Sequence, residues 1–180
     1  MSGIKFFTHA LRTFRTTGSL VPSSPALVAR MTKPEDFRKA RVIVELGPGE
    51  GCMTEEILHI MPEQARLTAF EVNPQFVKLL EKYRSPRFEA IQDGAQHLGK
   101  YIEDGSADIV LSSLPLANFS RELKNEIMDA VLKAMKPDAL FIQYQYSLLD
   151  ARLIKNAFSR VKRGYVWRNV PPAFVYFCRK

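Results

Sequence analysis

Glycines and acids alternate in Glu45-Leu46-Gly47-Pro48-Gly49-Glu50-Gly51. Glycines at such spacing let backbone N–H groups and a helix N-terminus approach a ligand closely. A helical apolar pattern (Met53, Ile57, Leu58) starts directly behind them, at Cys52. Such a turn alone serves any tight bend, but Glu71 adds a second feature. It closes the apolar run Leu67-Thr68-Ala69-Phe70. An acid about 20 residues past the glycines, at the tip of the second strand, is placed to take the two hydroxyls of a ribose. The pair describes a site for an adenosine-containing cofactor. Other side chains offer less. His9, His59 and His97 sit in surface-helix contexts, and none is assigned a catalytic role. No strong catalytic base stands out. Cys52 and Cys178 lie far apart with no Cys or His partner nearby, which excludes a disulfide framework and a CxxC metal site and suits a reducing compartment. No metal is expected.

These residues need strand ends to hold them. Short apolar runs predict strands near 42–46, 67–71, 87–91, 108–113 and 139–145, with helices near 52–60, 75–83, 95–102 and 121–135. Strands apolar on both faces suit a parallel sheet covered on each side. A helix over 149–158 follows. Two further strands, 160–167 and 173–178, flank Asn169-Val170-Pro171-Pro172, so they form a hairpin and the last strand enters the sheet antiparallel. The 180 residues make one domain, with 46% hydrophobic and 25% charged side chains.

The net charge of +7 is concentrated at the two ends. Residues 1–34 contain five cations and no acid, and residues 150–180 contain eight cations and only Asp150. Basic ends around a near-neutral middle point to an anionic partner, nucleic acid or a membrane surface. On a helical wheel, Gly3 to Arg15 places Ile4, Phe6, Phe7, Ala10, Leu11 and Phe14 on one side, with Lys5, Arg12 and Arg15 opposite. Such a helix either lies in a bilayer interface or packs its phenylalanines on the domain. Thr16 to Ser24 reads as a loop, and Ser24 caps a short helix through Met31 that has Pro25 at its first position. No apolar run is long enough to span a membrane, and the opening residues lack a signal peptide's apolar core.

Five strand–helix units closed by a terminal hairpin resemble the Rossmann-like class I fold of methyltransferases that use S-adenosylmethionine. The resemblance implies an α/β domain with a seven-stranded, mostly parallel sheet, an antiparallel C-terminal hairpin strand and extra N-terminal helices. A chain of 180 residues leaves no room for a dehydrogenase's substrate domain. Glu45, Gly47, Gly49 and Gly51 resemble the family's first motif, beneath the methionine and ribose of the cofactor. Glu71 resembles its ribose-binding acid, with Asn73 in the same pocket. Asp93-Gly94 resembles the acid that accepts the adenine amino group. Ser112, at the end of the fourth strand, completes the implied cofactor set.

The fourth strand runs into Ser113-Leu114-Pro115-Leu116-Ala117-Asn118-Phe119, where amine methyltransferases of this fold place the acceptor nitrogen. Adenine-N6 enzymes, including ribosomal RNA dimethylases, carry Asn or Asp and an aromatic at the positions of Ser113 and Leu116. Serine and leucine there disfavour a nucleobase acceptor. The stretch is instead similar to the Ser-Gly-Leu-Pro-Leu-Leu-Asn-Phe segment of bacterial phospholipid N-methyltransferases. That family's opening helix and proline-serine segment resemble Phe6-Phe7, Gly18 and Val21-Pro22-Ser23-Ser24. Its fifth strand resembles Phe141–Tyr146, and its final hairpin resembles Val166–Tyr176. Ser113, Glu50 and Gln145 depart from its pattern. The resemblance implies stepwise methylation of phosphatidylethanolamine toward phosphatidylcholine by a monomer on the inner face of the cytoplasmic membrane, docked through residues 1–34. Ser113, Leu114 and Tyr146 are then the catalytic candidates. Asn118, Phe119, Tyr144 and Asn169 are substrate candidates, with Arg15 or Arg168 for the lipid phosphate. Two other readings stay open: an RNA adenine methyltransferase and a soluble small-amine enzyme.

Overall fold

Seven strands form one sheet in the order β3-β2-β1-β4-β5-β7-β6 in a computed structural model, which describes residues 23–180. The strands are β1 (Val42–Leu46), β2 (Arg66–Phe70), β3 (Phe88–Ile91), β4 (Ala107–Ser112), β5 (Met135–Gln145), β6 (Arg160–Val166) and β7 (Ala173–Arg179). The first five run parallel, and β7 lies antiparallel to both β5 and β6. The α-helices are α1 (Pro25–Thr32), α2 (Cys52–Ile60), α3 (Pro74–Leu80), α4 (Arg121–Ala134) and α5 (Ala151–Ala157). The predicted helix over Gly3–Arg15 lies outside the described residues.

The sheet is central because both of its faces are apolar. Val44, Leu46, Val110 and Phe141 join one core, and Ile43, Ile109, Leu111 and Ile142 join the other. Helices terminate where their residues dictate. Ser24 accepts a hydrogen bond from the Leu27 N–H at 3.2 Å, with Pro25 following, and Ser120 caps α4 in the same way through Leu123.

Three expectations change in detail. The helix expected over 95–102 is a 3₁₀ segment, Ala95–Lys100, held by i→i+3 bonds such as His97 N–H to the Gly94 carbonyl. The helix expected over 75–83 relaxes to 3₁₀ geometry at Glu81–Tyr83. The fifth strand starts at Met135 rather than 139, directly after α4. Pro137 and Asp138 (φ +58°) disguise that start, and the β4–β5 register shifts there as a bulge allows.

Candidate active site

The parallel strands deliver their C-terminal ends to one side, as ligand sites in open α/β sheets require. There a cavity of about 330 Å³ opens above β1, β2, β4 and β5. Of the residues singled out by sequence, Gly47, Gly49, Glu71, Asp93, Ser113, Leu114, Asn118, Tyr144 and Tyr146 line it.

Its first wall is built from backbone and carboxylates. Gly47, Gly49 and Gly51 have φ of +73°, +56° and +91°, a region that favours glycine. A Cβ on Gly49 would meet nothing within 4 Å, whereas one on Gly47 would stand 2.9 Å from Leu114 Cδ2. The Gly49 N–H donates to Glu71 Oε2 at 3.2 Å, and the Asn73 N–H donates to Oε1 at 2.9 Å. The glycine turn and the tip of β2 are therefore tied through one carboxylate. Burial raises the Glu71 pKa above its ordinary range, against the pull of these N–H donors. Asn73 spends its side chain capping α3, where Oδ1 accepts from the Gln75 N–H at 2.9 Å.

Glu45 lies behind this wall, fully buried. Its Oε2 accepts from Thr54 Oγ1 at 2.7 Å, and Oε1 has no partner among the described residues. Burial pushes its carboxyl up to about 7, with the nearby Glu71 adding in the same direction and the Thr54 bond opposing. At the far end Asp93 receives the Gly94 N–H (2.7 Å), His97 Nδ1 (2.6 Å) and the Tyr101 hydroxyl (3.1 Å). Partial burial favours its neutral form, but these donors outweigh it and leave the carboxyl below its usual range.

The second wall is built from side chains of distant segments. Ser113 follows β4, its N–H held by the Leu46 carbonyl at 2.8 Å. Ser112 is buried, and its Oγ accepts from the Leu114 N–H at 3.4 Å. The Leu114 carbonyl accepts from two glutamines of β5, Gln143 Nε2 at 3.1 Å and Gln145 Nε2 at 3.0 Å. The Leu116 N–H donates to the same oxygen at 2.9 Å, so three donors converge on it. Sequence reading missed this clamp and marked Gln145 only as a departure from a family pattern. Tyr144 and Tyr146 meet edge-to-face with ring centroids 5.5 Å apart. Burial, then the neighbouring Tyr146, pushes the Tyr144 phenol far above its usual range.

Other candidates lie elsewhere. Phe119 packs in the core beside the loop. Asn169 is buried and works within the chain: Oδ1 accepts from the Ser24 N–H at 3.0 Å and Nδ2 donates to the Pro171 carbonyl at 2.7 Å. Arg168 is exposed on the β6–β7 turn, and Arg15 lies outside the described residues. Among the described residues no group of His, Cys, Asp and Glu is placed to hold a metal ion, and no helix is long and apolar enough to cross a membrane.

Residues 43–138, from β1 into the first residues of β5, match the family model of the methyltransferase domain. The chain belongs to that family. The ornithine lipid N-methyltransferase of Singulisphaera acidiphila is 31% identical to this methyltransferase over 97% of this chain and 92% of that protein. Among solved structures, the 1,6-didemethyltoxoflavin-N1-methyltransferase of Burkholderia thailandensis, with S-adenosylhomocysteine bound, superposes with a TM-score of 0.74 at 16% identity. That match covers 100% of this chain and 91% of the other. The precorrin-6y C5,15-methyltransferase of Geobacter metallireducens gives 0.72 at 18% identity over 91% and 93%. The fold is the class I methyltransferase fold, and the methyl donor is S-adenosylmethionine.

The site's own geometry fits that donor. The space above Gly49 is open, so glycine there leaves a cradle that any side chain would enter. Glu71 keeps acceptor capacity beyond its two backbone bonds and faces the cavity, as a ribose diol requires. Asp93, at the other end, retains capacity on Oδ2 for an amino group.

Proposed function

We propose that this methyltransferase methylates the primary amine of a lipid headgroup, phosphatidylethanolamine, in successive steps. The observation that carries the reading is similarity along nearly the whole chain to a lipid N-methyltransferase. The acceptor wall supports it. Leu116, at the position that would stack a purine, is fully buried, and the Leu114 carbonyl is already occupied by Gln143 and Gln145. Both features disfavour the RNA adenine reading.

S-adenosylmethionine supplies an electrophilic methyl group when bound. The protein's part is to hold an uncharged amine in line with it, where orientation accounts for much of the acceleration. Ser113 and Asn118 line the cavity as neutral polar groups and orient the amine, and the Tyr146 hydroxyl takes part in passing its proton outward. Leu114 supplies the apolar floor beneath them. The faces of Tyr144 and Tyr146 favour the cation that remains after each transfer. On this reading the enzyme works as a monomer on the inner face of the cytoplasmic membrane, with Gly3–Arg15 as a docking helix.

A second acceptor, the amine of an ornithine lipid, is favoured by the activity of the 31% identical relative. Incubation with labelled S-adenosylmethionine and vesicles carrying one lipid or the other, followed by lipid separation, distinguishes them. Label in phosphatidylethanolamine is the expected result. Label in ornithine lipid alone moves the assignment to that acceptor. No label in either, with cofactor binding confirmed, overturns both.

A further inference from the structure

The register of the last strands brings two loops to the cavity end of the sheet. Gln145 at the end of β5 faces Phe174, and Val166 at the end of β6 faces Ala173. The segment after β5 and the β6–β7 turn therefore project beyond the same edge as the cavity mouth, and Ser147 lines that mouth. On these loops large apolar side chains stand in solvent: Leu149 is 79% exposed, Trp167 73%, Val170 72% and Leu148 45%. Folding does not use them.

The stretch of chain that carries them is cationic. Arg152, Lys155, Lys162, Arg163 and Arg168 form no ion pair with any described carboxylate. Asp150, the single acid of residues 150–180, is buried and bound to Lys124 at 2.7 Å. Residues 1–22 contain no acid either. The chain also enters the described fold here, since Ser23 lines the cavity and Ser24 is bonded to Asn169 within the β6–β7 turn.

We propose that Leu148, Leu149, Trp167 and Val170, with Arg152 and Arg168 beside them along the chain, form a second membrane-contact surface that seats the cavity mouth on an anionic bilayer. Exposed apolar and aromatic side chains on a stretch of chain rich in Arg and Lys match the chemistry of the headgroup–acyl boundary. The cations meet anionic headgroups while Trp167, Leu149 and Val170 enter the interface. A second copy of this chain would bring like charges together. The purpose of the surface rests on the lipid-acceptor reading, but its existence does not.

Trp167 is the only tryptophan, so its fluorescence reports on this surface alone. The experiment adds the full chain to phosphatidylethanolamine/phosphatidylglycerol vesicles, with and without bromine-labelled acyl chains. Emission should shift to the blue and be quenched by the labelled lipid, and raising the salt should weaken both effects. The double substitution Leu149→Glu, Val170→Glu should weaken vesicle binding about tenfold or more, leaving methylation of detergent-dispersed lipid unchanged. Vesicle-bound protein with Trp167 unshifted and unquenched overturns the proposal. So does emission that is already blue without vesicles and moves to the red in Phe7→Asp, because the first helix would then be the occupant. Quenching without lipid methylation leaves this surface standing and removes phosphatidylethanolamine as the acceptor. Methylation of dispersed lipid with Trp167 still in water does the reverse.

Discussion

The two walls of the cavity are made in different ways. The cofactor wall uses backbone: three glycines at positive φ, N–H groups on Glu71, and acids one and two residues past their strands. The acceptor wall uses side chains gathered from afar, with Gln143 and Gln145 reaching 29 and 31 residues back to one carbonyl. A backbone wall depends on little beyond glycine and carboxylate, so it serves many enzymes of one fold. A side-chain wall changes with each substitution, and on the proposed reading that is where an acceptor is chosen. If the comparison holds, substitutions on one wall should move cofactor affinity and substitutions on the other should move turnover.

The largest effect should come from Glu71→Ala. On the proposed reading it removes the acceptor for the ribose hydroxyls, and it leaves the half-buried Gly49 N–H without its carboxylate partner. Charge-assisted bonds of this kind contribute about 1.5–3 kcal/mol each, so S-adenosylmethionine should bind on the order of a hundredfold more weakly by calorimetry. Unchanged affinity would break the comparison at its first step.

Glu45 sharpens the cost of the backbone wall. Its carboxyl titrates at about 7 in the folded state, against 4.5 as its ordinary value. The folded protein holds this proton more tightly, so the contribution to stability is complete below about 4.5 and is lost as pH rises through about 7. Over that window the loss is about 3 kcal/mol. Urea unfolding of wild type and Glu45→Gln should give a stability difference that moves by about that amount, in favour of the variant at high pH. A difference independent of pH would show that Glu45 is not the group that titrates.

Gly47 is where the walls touch. Alanine there combines a φ of +73° with a Cβ 2.9 Å from Leu114 Cδ2, at a cost of about 1–2 kcal/mol. Because the pressure falls on both walls, cofactor affinity and turnover should drop together. A change in affinity alone would mean that Leu114 yields without consequence for the acceptor side.

The same contrast explains what the sequence made legible. The glycine turn and Glu71 carry their signal within a few residues and a known spacing, and the positions of the strands along the chain follow from short apolar runs. Ser24 and Pro25 announced the start of α1 by local chemistry. By contrast, Asn169 looked like a substrate ligand in a distinctive hairpin, yet it bonds Ser24, 145 residues away. The start of β5 was hidden because Pro137 and Asp138 read as a break, and only pairing with β4 makes that stretch a strand. Long-range side-chain bonds leave no periodicity to read.

The smallest effect tests the acceptor wall by itself. Gln145→Leu removes one of three donors from the Leu114 carbonyl, while Gln143 and the Leu116 N–H still bond that oxygen and Gln143 also bonds the Tyr144 carbonyl. The loop should therefore stay folded, because its backbone anchor from Ser113 to Leu46 is untouched. What changes is how tightly Leu114 and Ser113 are fixed at the cavity wall, where the proposed reading puts the amine. A neutral hydrogen bond contributes about 1 kcal/mol, so kcat should fall between about fivefold and tenfold. Cofactor affinity should stay as it was, since Gln145 holds none of the groups on the opposite wall. Equal losses in kcat and cofactor affinity would mean that the two walls move as one body, and the division drawn between them would fail.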